Sequence, residues 1–251
     1  MTLGKVVKEV AKRGARAAGF DVRRRGPYDL DARRVQLAVR HAVDVVFDVG
    51  ANQGQWARAL RAAGYEGTIV SFEPLAAAFA GLRAASRRDQ RWSALRLALG
   101  DASGRRTIHV AANSWSSSLL EMEDAHLAAE PASAYVAEQD VQVTTLDDVC
   151  RDRLGPLERA YLKLDVQGFE MDVLRGAERT LAQVDIVELE LSITPLYRGQ
   201  TLYREALDTF DRLGFGLVGL SEEFVDTRTG RLLQFDGVFE RLETHHDGGE
   251  A

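Results

Sequence analysis

The chain is poor in cysteine and has no long apolar run. Its 251 residues include one cysteine, Cys150, which excludes an internal disulfide. The five histidines are scattered, so no Cys/His metal-ligand spacing occurs. No apolar run approaches the roughly 20 residues of a membrane-spanning helix, and residues 1–20 are basic without the apolar segment of a secretory signal. We therefore expect a cytoplasmic protein with no bound metal and no transmembrane segment.

Lysine is also scarce, and positive charge is unevenly placed. Lysines occur at positions 5, 8, 12 and 163, so Lys163 stands alone beyond the amino-terminal segment. Residues 1–40 hold eleven Lys/Arg and four Asp/Glu, and the remainder holds 21 and 34, which divides the net charge of −6 into +7 and −13. We expect a basic helical arm over residues 1–42 that could contact anionic lipid or an acidic acceptor, although such runs are more often solvated helix faces. The acidic body argues against nucleic acid.

A glycine-containing turn is the most informative feature that the chain does have. Residues 45–55 begin as an apolar strand with Asp48 near its end and turn through Gly50 and Gly54 into a helical pattern over residues 56–63. This strand, turn and helix is typical of nucleotide pockets in α/β proteins. Glycine can also be needed there for the tight turn alone.

Two acidic residues follow later predicted strands. Glu73 comes directly after residues 68–72, a position that suits ribose hydroxyls. It also stands before a predicted helix over residues 75–88, so an acidic N-cap is the alternative. Both roles can hold together, and Asp48, Gly50 and Gly54 favour the ribose role. Asp101 follows the third predicted strand, where it could contact an adenine ring or form a turn.

Strand and helix patterns alternate along most of the chain. They predict a doubly wound, mostly parallel Rossmann-like α/β sheet closed by a carboxyl-terminal antiparallel hairpin. We expect this domain to span residues 43–243 and to precede a disordered tail over residues 244–251. Residues 112–140 lack a clean strand pattern and predict a long loop. The predicted strands are 45–49, 68–72, 94–99, 106–111, 161–166, 186–193, 216–220 and 232–241, and the predicted helices are 5–18, 33–41, 56–63, 75–88, 168–182 and 202–213.

Charged residues interrupt two strands that should be buried. Lys163 and Asp165 share one face of their strand, and Glu188 and Glu190 share one face of theirs. Because charges inside a sheet are costly unless paired, we expect Lys163 to pair with Glu188 or Glu190. Asp165 and Glu190 fall toward the carboxyl ends of the strands, where ligands bind in open α/β sheets. A purely structural ion pair is the alternative for Lys163 and Glu188.

Four blocks of sequence together resemble the FkbM family of S-adenosylmethionine-dependent methyltransferases. They are residues 47–55, 71–74, 163–170 and 187–191, the last followed by Pro195-Leu196-Tyr197. The resemblance extends over residues 45–242, and Asp-Val-Gln-Gly-Phe-Glu at 165–170 is its most specific part. It implies O-methylation with S-adenosylmethionine as the cofactor. The implied acceptor is a small molecule or glycan, often a sugar or polyketide hydroxyl, and a homo-oligomer is compatible with it.

Within this resemblance each polar position receives an expected role. Asp165 is the first choice for the general base and Glu190 the second, with Lys163 beside them. Trp115, Ser116 and Tyr197 are expected to border the acceptor, although serine clusters are also typical of flexible loops. The residues expected to contact the cofactor are Asp48, Gly50, Asn52, Gly54, Glu73 and Asp101.

Three other readings stay open. A nicotinamide-dependent oxidoreductase uses a similar sheet, but the G-x-x-x-G spacing and the terminal hairpin disfavour it. An inactive cofactor-binding scaffold is disfavoured by the presence of Lys163, Asp165 and Glu190. Two or three carboxylates could also hold Mg²⁺, since hard cations prefer oxygen ligands.

Overall fold

The computed structural model describes residues 30–154 and 158–242, and they form an α/β sandwich. Its helices are α1 (Leu30–Arg40), α2 (Gln55–Ala63), α3 (Ala76–Ser86), α4 (Asp124–Ala129), α5 (Leu146–Val149), α6 (Glu170–Arg175) and α7 (Tyr203–Arg212). Its strands are β1 (Val45–Val49), β2 (Thr68–Phe72), β3 (Trp92–Leu95), β4 (Ala98–Leu99), β5 (Gly104–Ala111), β6 (Tyr135–Thr144), β7 (Ala160–Leu164), β8 (Val184–Ser192), β9 (Phe215–Asp226) and β10 (Arg231–Arg241). None of the helices in these two ranges is long and apolar enough to cross a membrane.

The main sheet has seven strands in the order β3-β2-β1-β7-β8-β10-β9. The first five are parallel, and β10 runs antiparallel to both β8 and β9. The predicted doubly wound sheet with a carboxyl-terminal antiparallel hairpin is therefore confirmed. The strand order reverses between β1 and β7, which is the place where ligands bind in open α/β sheets.

Each face of the sheet buries its own apolar layer because successive strand residues point to opposite faces. In β1, Val45, Phe47 and Val49 join the layer that α6 and α7 cover. Val46 points the other way and joins the layer beneath α1, α2 and α3, together with Tyr161 of β7. Near-continuous apolar strands are what a parallel sheet covered on both faces requires.

Three parts of the structure differ from the sequence prediction. The predicted strand at 94–99 is split into β3 in the main sheet and β4 in a second sheet of order β4-β6-β5. Strand β6 occupies residues for which a loop was expected, and its first half is mostly exposed. The predicted helix at 168–182 is shorter than expected: it covers Glu170–Arg175 with Gly176 at its C-cap, and a 3₁₀ turn follows at Thr180–Gln183.

Helix α1 confirms the helix predicted at 33–41 and packs on the sheet. Its Ala38 is 1% exposed and belongs to the apolar layer shared with α2. Arg33 donates a hydrogen bond to the Val218 carbonyl on the hairpin at 2.8 Å. The predicted helix at 5–18 and the predicted tail at 244–251 lie outside the described residues, and the domain division at residue 42 stays a prediction.

Candidate functional site

A cavity opens at the carboxyl ends of β1, β2 and β7. It encloses about 850 Å³, including the open space at its mouth. Its walls combine apolar side chains with a few polar groups, which suits a ligand that has both ring and charged parts. The residues that line it include Gly50, Asn52, Glu73, Leu97, Leu99, Ile108, Trp115, Asp165, Gln167, Phe169 and Glu190.

Gly50 permits the close approach of two loops at the base of this cavity. Its φ of +77° is in the left-handed region, and an added Cβ would lie 1.8 Å from the Asp165 carbonyl oxygen. No other residue type fits there without moving backbone. Gly54 does not line the cavity; it stands at the N-terminus of α2 with φ +82°, where an added Cβ would meet Trp92 and Leu82 at 2.9 and 3.0 Å.

Glu73 combines both arrangements expected from the sequence. One carboxylate oxygen accepts a hydrogen bond from the Asn52 backbone N–H at 2.9 Å, and the other accepts from Leu75 N–H at 2.8 Å near the start of α3. The side chain is 5% exposed and lines the cavity. Burial raises the pKa of Glu73 to about 7, against the opposing effect of these two hydrogen bonds.

Lys163 lies beneath the cavity and pairs with different carboxylates from those expected. Its ammonium is 3.2 Å from Asp165 Oδ2 and 3.7 Å from Asp48 Oδ1, so the predicted pairing with Glu188 or Glu190 is wrong. Strand β1 neighbours β7 and places Asp48 in register with Lys163, while Glu188 is taken by another cation. Burial opposes the charge, but the neighbouring carboxylates hold the pKa of Lys163 above its ordinary value.

That other cation is Arg34, which the sequence did not reveal as a site residue. Arg34 Nε donates to Glu188 Oε2 at 2.9 Å, and Nη2 contacts Glu188 Oε1. Tyr161 and Trp56 donate to the same carboxylate at 2.5 and 3.4 Å. The i, i+4 spacing that puts Arg34 on the same face of α1 as buried Ala38 is the one signal in the sequence.

Asp165 and Glu190 come together through Gln167. The Gln167 Nε2 donates to Asp165 Oδ1 at 2.9 Å and to Glu190 Oε2 at 2.6 Å. Its Oε1 accepts a hydrogen bond from the Tyr197 hydroxyl at 2.6 Å. An amide offers two N–H donors on one atom and an acceptor on the other, so it can link two carboxylates and a hydroxyl at once. Gln167 belongs to the sequence block at 165–170, but no role was predicted for it from the sequence.

The expected acceptor residues lie at different depths. Trp115 is 59% exposed and stands at the cavity mouth. Ser116 is buried and points away, toward Ser133 at 3.0 Å, so its expected place at the acceptor is not supported by the geometry. Tyr197 is fully buried and does not line the cavity; it reaches the site through Gln167.

Besides Gly54, two more residues expected at the cofactor do not reach the cavity walls. Asp48 is 0% exposed, accepts a hydrogen bond from Ser71 at 2.8 Å and lies under the floor of the cavity. Asp101 lies outside the lining and pairs with Arg106 at 3.2 Å on the surface. The short β4 and the turn after it carry Asp101 toward the second sheet instead.

Burial and neighbouring charge act strongly on the deeper carboxylates. Burial first, and then the nearby carboxylates Asp165 and Asp236, hold the pKa of Glu190 well above its usual range. Burial, with Glu188 close by, likewise raises the pKa of Asp236 to about 8. Among the described residues, no group of three or more His, Cys, Asp or Glu side chains is arranged to hold a metal ion.

A second cavity adjoins the first across the two linked carboxylates. It encloses about 790 Å³ including its mouth, and α1, α2 and the β9–β10 hairpin supply its outer wall. Arg34, Trp56 and Asp236 belong to that wall. Six residues line both cavities, namely Gly50, Asn52, Trp115, Asp165, Glu190 and Glu223.

The chain is similar in sequence to one curated methyltransferase and in fold to solved methyltransferase structures. The chain is similar to the 2-O-methyltransferase NoeI of Sinorhizobium fredii (strain NBRC 101917 / NGR234), at 29% identity over 170 residues, which are 65% of this chain and 70% of that protein. Solved structures with similarity include magnesium protoporphyrin IX methyltransferase (ChlM) from Synechocystis PCC 6803 with bound SAM, at a TM-score of 0.45 and 9% identity over 84% of this chain and 78% of that one. Another is an rRNA methylase from Streptococcus thermophilus, at a TM-score of 0.44 and 11% identity over 88% and 100%. We draw no conclusion about the chemistry from these two distant structures.

A family model settles the assignment. The model described as the methyltransferase FkbM domain matches residues 48–217, which is well over half of the chain. The matched span runs from β1 into β9 and carries Gly50, Glu73, Asp165, Gln167 and Glu190. The protein therefore belongs to the FkbM family of methyltransferases, and its methyl donor is S-adenosylmethionine.

Proposed function

We propose that this methyltransferase transfers the methyl group to a hydroxyl, and that the hydroxyl belongs to a sugar. The observation that carries the proposal is the linked carboxylate pair Asp165 and Glu190 at the junction of two cavities. A hydroxyl must lose its proton as it attacks, so a carboxylate beside the attack position is the group that O-methylation needs. Similarity to a 2-O-methyltransferase supports the same chemistry.

The first cavity suits S-adenosylmethionine, which supplies an activated methyl group on a sulfonium. Glu73 offers a carboxylate for the ribose hydroxyls, and Gly50 leaves main chain open where a Cβ would intrude. The apolar walls of Leu97, Leu99 and Ile108 suit the face of an adenine ring. Asn52 Oδ1 is buried without a hydrogen-bond partner and lies in the same wall, so it can accept from a bound ligand.

Geometry favours Glu190 over Asp165 as the proton acceptor. Both oxygens of Asp165 are engaged, one by Gln167 and the other by Lys163. Glu190 Oε2 is held by Gln167, whereas no described group donates to Glu190 Oε1. The raised pKa of Glu190, caused mainly by burial, makes it a stronger base than an exposed carboxylate. We therefore reverse the preference drawn from the sequence, which placed Asp165 first.

The remaining groups position the base. Tyr197 fixes the orientation of the Gln167 amide, and this amide holds the two carboxylates in one geometry. Lys163 offsets part of the negative charge that Asp165 brings to the site. Holding a hydroxyl in line with the donor methyl supplies much of the rate in such a displacement, so these contacts serve the reaction without touching the proton.

Labelled methyl transfer tests the proposal directly. Purified protein is incubated with S-adenosylmethionine labelled in the methyl group and with an extract of its host, and the labelled product is identified. A product methylated on a sugar oxygen is the expected result, and label on nitrogen or carbon would contradict it. Thermal shift adds the class test: S-adenosylhomocysteine should raise Tm and NAD should not. EDTA should leave turnover unchanged.

The basic amino-terminal part of the chain, residues 1–40, supports a separate proposal. Residues 1–29 lie outside the described part of the structure. We propose that it draws the enzyme to an anionic lipid-linked acceptor, because residues 1–40 carry a local balance of +7 on an acidic body. Deleting residues 1–25 should raise KM for that acceptor and leave cofactor affinity unchanged. Equal binding of both forms to anionic vesicles would leave a solvated helix face as the explanation.

A further inference from the structure

The charged residues in the outer wall of the second cavity come from segments that lie outside the family match. The match covers residues 48–217, whereas Arg34 precedes it on α1, and Glu223 and Asp236 follow it on the β9–β10 hairpin. The inner wall, with Asp165 and Glu190, lies inside the match. The linked carboxylates and the charged groups of the outer wall are thus supplied by different parts of the chain.

The charge of this cavity is not balanced by its own cations. Four carboxylates line it, those of Asp165, Glu190, Glu223 and Asp236, beside the cationic Arg34 and Lys163. Lys163 is already shared by Asp165 and Asp48. Arg34 makes its close contacts to Glu188 and Asp31, neither of which lines the cavity, and stands 3.6 Å from Asp236. The cavity therefore holds more carboxylates than cations to pair with them. Burial and this crowding raise the pKa of Glu190 and of Asp236, and a bound ammonium would favour their ionised forms.

Tryptophan completes the wall. Trp115 is 59% exposed and lines both cavities, and Trp56 lines the second. The Arg34 guanidinium already lies over the Trp56 ring, 5.6 Å from its centroid. Aromatic faces beside carboxylates attract cations, and the same faces pack against the apolar side of a sugar ring. This combination differs from a solvated acidic surface, because it encloses a volume next to the reacting carboxylates.

We propose that the second cavity binds the acceptor through a positively charged group, so that the acceptor is an amino sugar. This inference rests on the proposed function, because it takes the junction of the two cavities as the place of methyl transfer. The hydroxyl to be methylated faces Glu190, while the ammonium group lies between Glu223, Asp236 and the face of Trp115. An anionic sugar is repelled from the same cavity.

Binding of three matched sugars tests the inference with the full chain saturated with S-adenosylhomocysteine. The probes are the methyl glycosides of glucosamine, glucose and glucuronic acid at pH 7 and low salt, with binding measured by saturation-transfer NMR. We expect the glucosaminide to bind about 5-fold more tightly than the glucoside, the factor that one charge pair at about 4 Å gives in water. The glucuronide should bind most weakly. Added salt should reduce the differences in affinity among the three sugars, because it screens the charges.

Variants separate the cavity from the general acidity of the protein. Glu223→Gln with Asp236→Asn should bring the glucosaminide and the glucoside to equal affinity. The matched control, Glu205→Gln with Asp208→Asn on α7, removes the same charge from the opposite face and should keep the preference. Glu223→Gln alone alters an exposed side chain and should halve the preference, so the test survives if Asp236→Asn does not fold.

The outcomes distinguish this inference from the proposed function. Equal affinity for glucosaminide and glucoside in the unaltered protein, or no binding of any sugar, overturns the inference while leaving cofactor binding intact. Failure to bind S-adenosylhomocysteine overturns the cofactor assignment of the first cavity. Loss of the preference in the α7 control would place its origin in overall charge and would likewise overturn the inference.

Discussion

Replacing Arg34 with methionine should destabilise the protein by about 3 kcal/mol. Arg34 and Glu188 are 7% and 2% exposed, and the substitution leaves the Glu188 carboxylate without its cation in a buried site. Removing one partner of a buried ion pair costs about 3–5 kcal/mol. Tyr161 and Trp56 still donate to Glu188, which places our expectation at the lower end.

The double variant Arg34→Met with Glu188→Gln shows whether the cost comes from the stranded charge. A neutral amide can still accept from Tyr161, so we expect this variant to recover about 2 kcal/mol of the loss, since a charge costs far more to bury than an amide. Arg33→Met is the matched control. It removes an exposed hydrogen bond to the Val218 carbonyl and should cost under about 1 kcal/mol.

Urea unfolding followed by circular dichroism measures these differences if the slopes of the transitions agree. A loss below about 1 kcal/mol in Arg34→Met would refute the reasoning, because Glu188 would then have to be ionised without a cation or protonated at no cost. A double variant no more stable than Arg34→Met would also refute it. Since Arg34 lines the second cavity, Arg34→Met also removes a positive charge there, so it should strengthen the binding of a cationic sugar and leave cofactor binding unchanged.

Four further predictions concern the two cavities and the carboxylates that line them. Glu73→Ala should weaken S-adenosylhomocysteine binding by about 1.5–3 kcal/mol in titration calorimetry, the range for hydrogen bonds to a charged group; unchanged affinity would exclude Glu73 from the pocket. Gly50→Val should abolish that binding, because an added Cβ falls 1.8 Å from the Asp165 carbonyl oxygen; a bound cofactor in this variant would contradict the close contact. Glu190→Gln should lower kcat about 10²–10⁴-fold and Asp165→Asn less, with cofactor still bound; the opposite ranking would make Asp165 the base. Burial raises the pKa of Glu190 above its unfolded value, so its contribution to stability is lost as pH rises through the folded pKa, and Glu190→Gln should be more stable than the unaltered protein above that pH.

The main sheet could be predicted because its strands carry their own signal. Strands such as β1 and β2 are short apolar runs bounded by turn residues, and their predicted limits match the structure. Strand β6 carries no such signal. Its first half pairs with β5 at the surface and is mostly exposed, so no apolar alternation marks it.

The site was predictable in part for the same reason. Glu190 lies within a buried strand and Asp165 directly follows one. Burying a charge costs free energy unless the charge is paired, so such residues stand out in the sequence as candidates for a special role. Their connection through Gln167, and the pairing of Lys163 with Asp48, depend on which strands become neighbours. Arg34 pairs with Glu188, which is 154 residues away in the chain, so the sequence around Arg34 does not predict this partner.

The contact between Gly50 and the Asp165 carbonyl has a mechanical consequence. A Cβ added to Gly50 would lie 1.8 Å from the Asp165 carbonyl oxygen, so the turn after β1 packs directly against the turn after β7. We expect the two turns to move together. A displacement at the donor turn is transmitted to the backbone that carries Asp165, and through the Gln167 amide to Glu190. We therefore expect binding of the methyl donor and alignment of Glu190, the proposed proton acceptor, to be coupled.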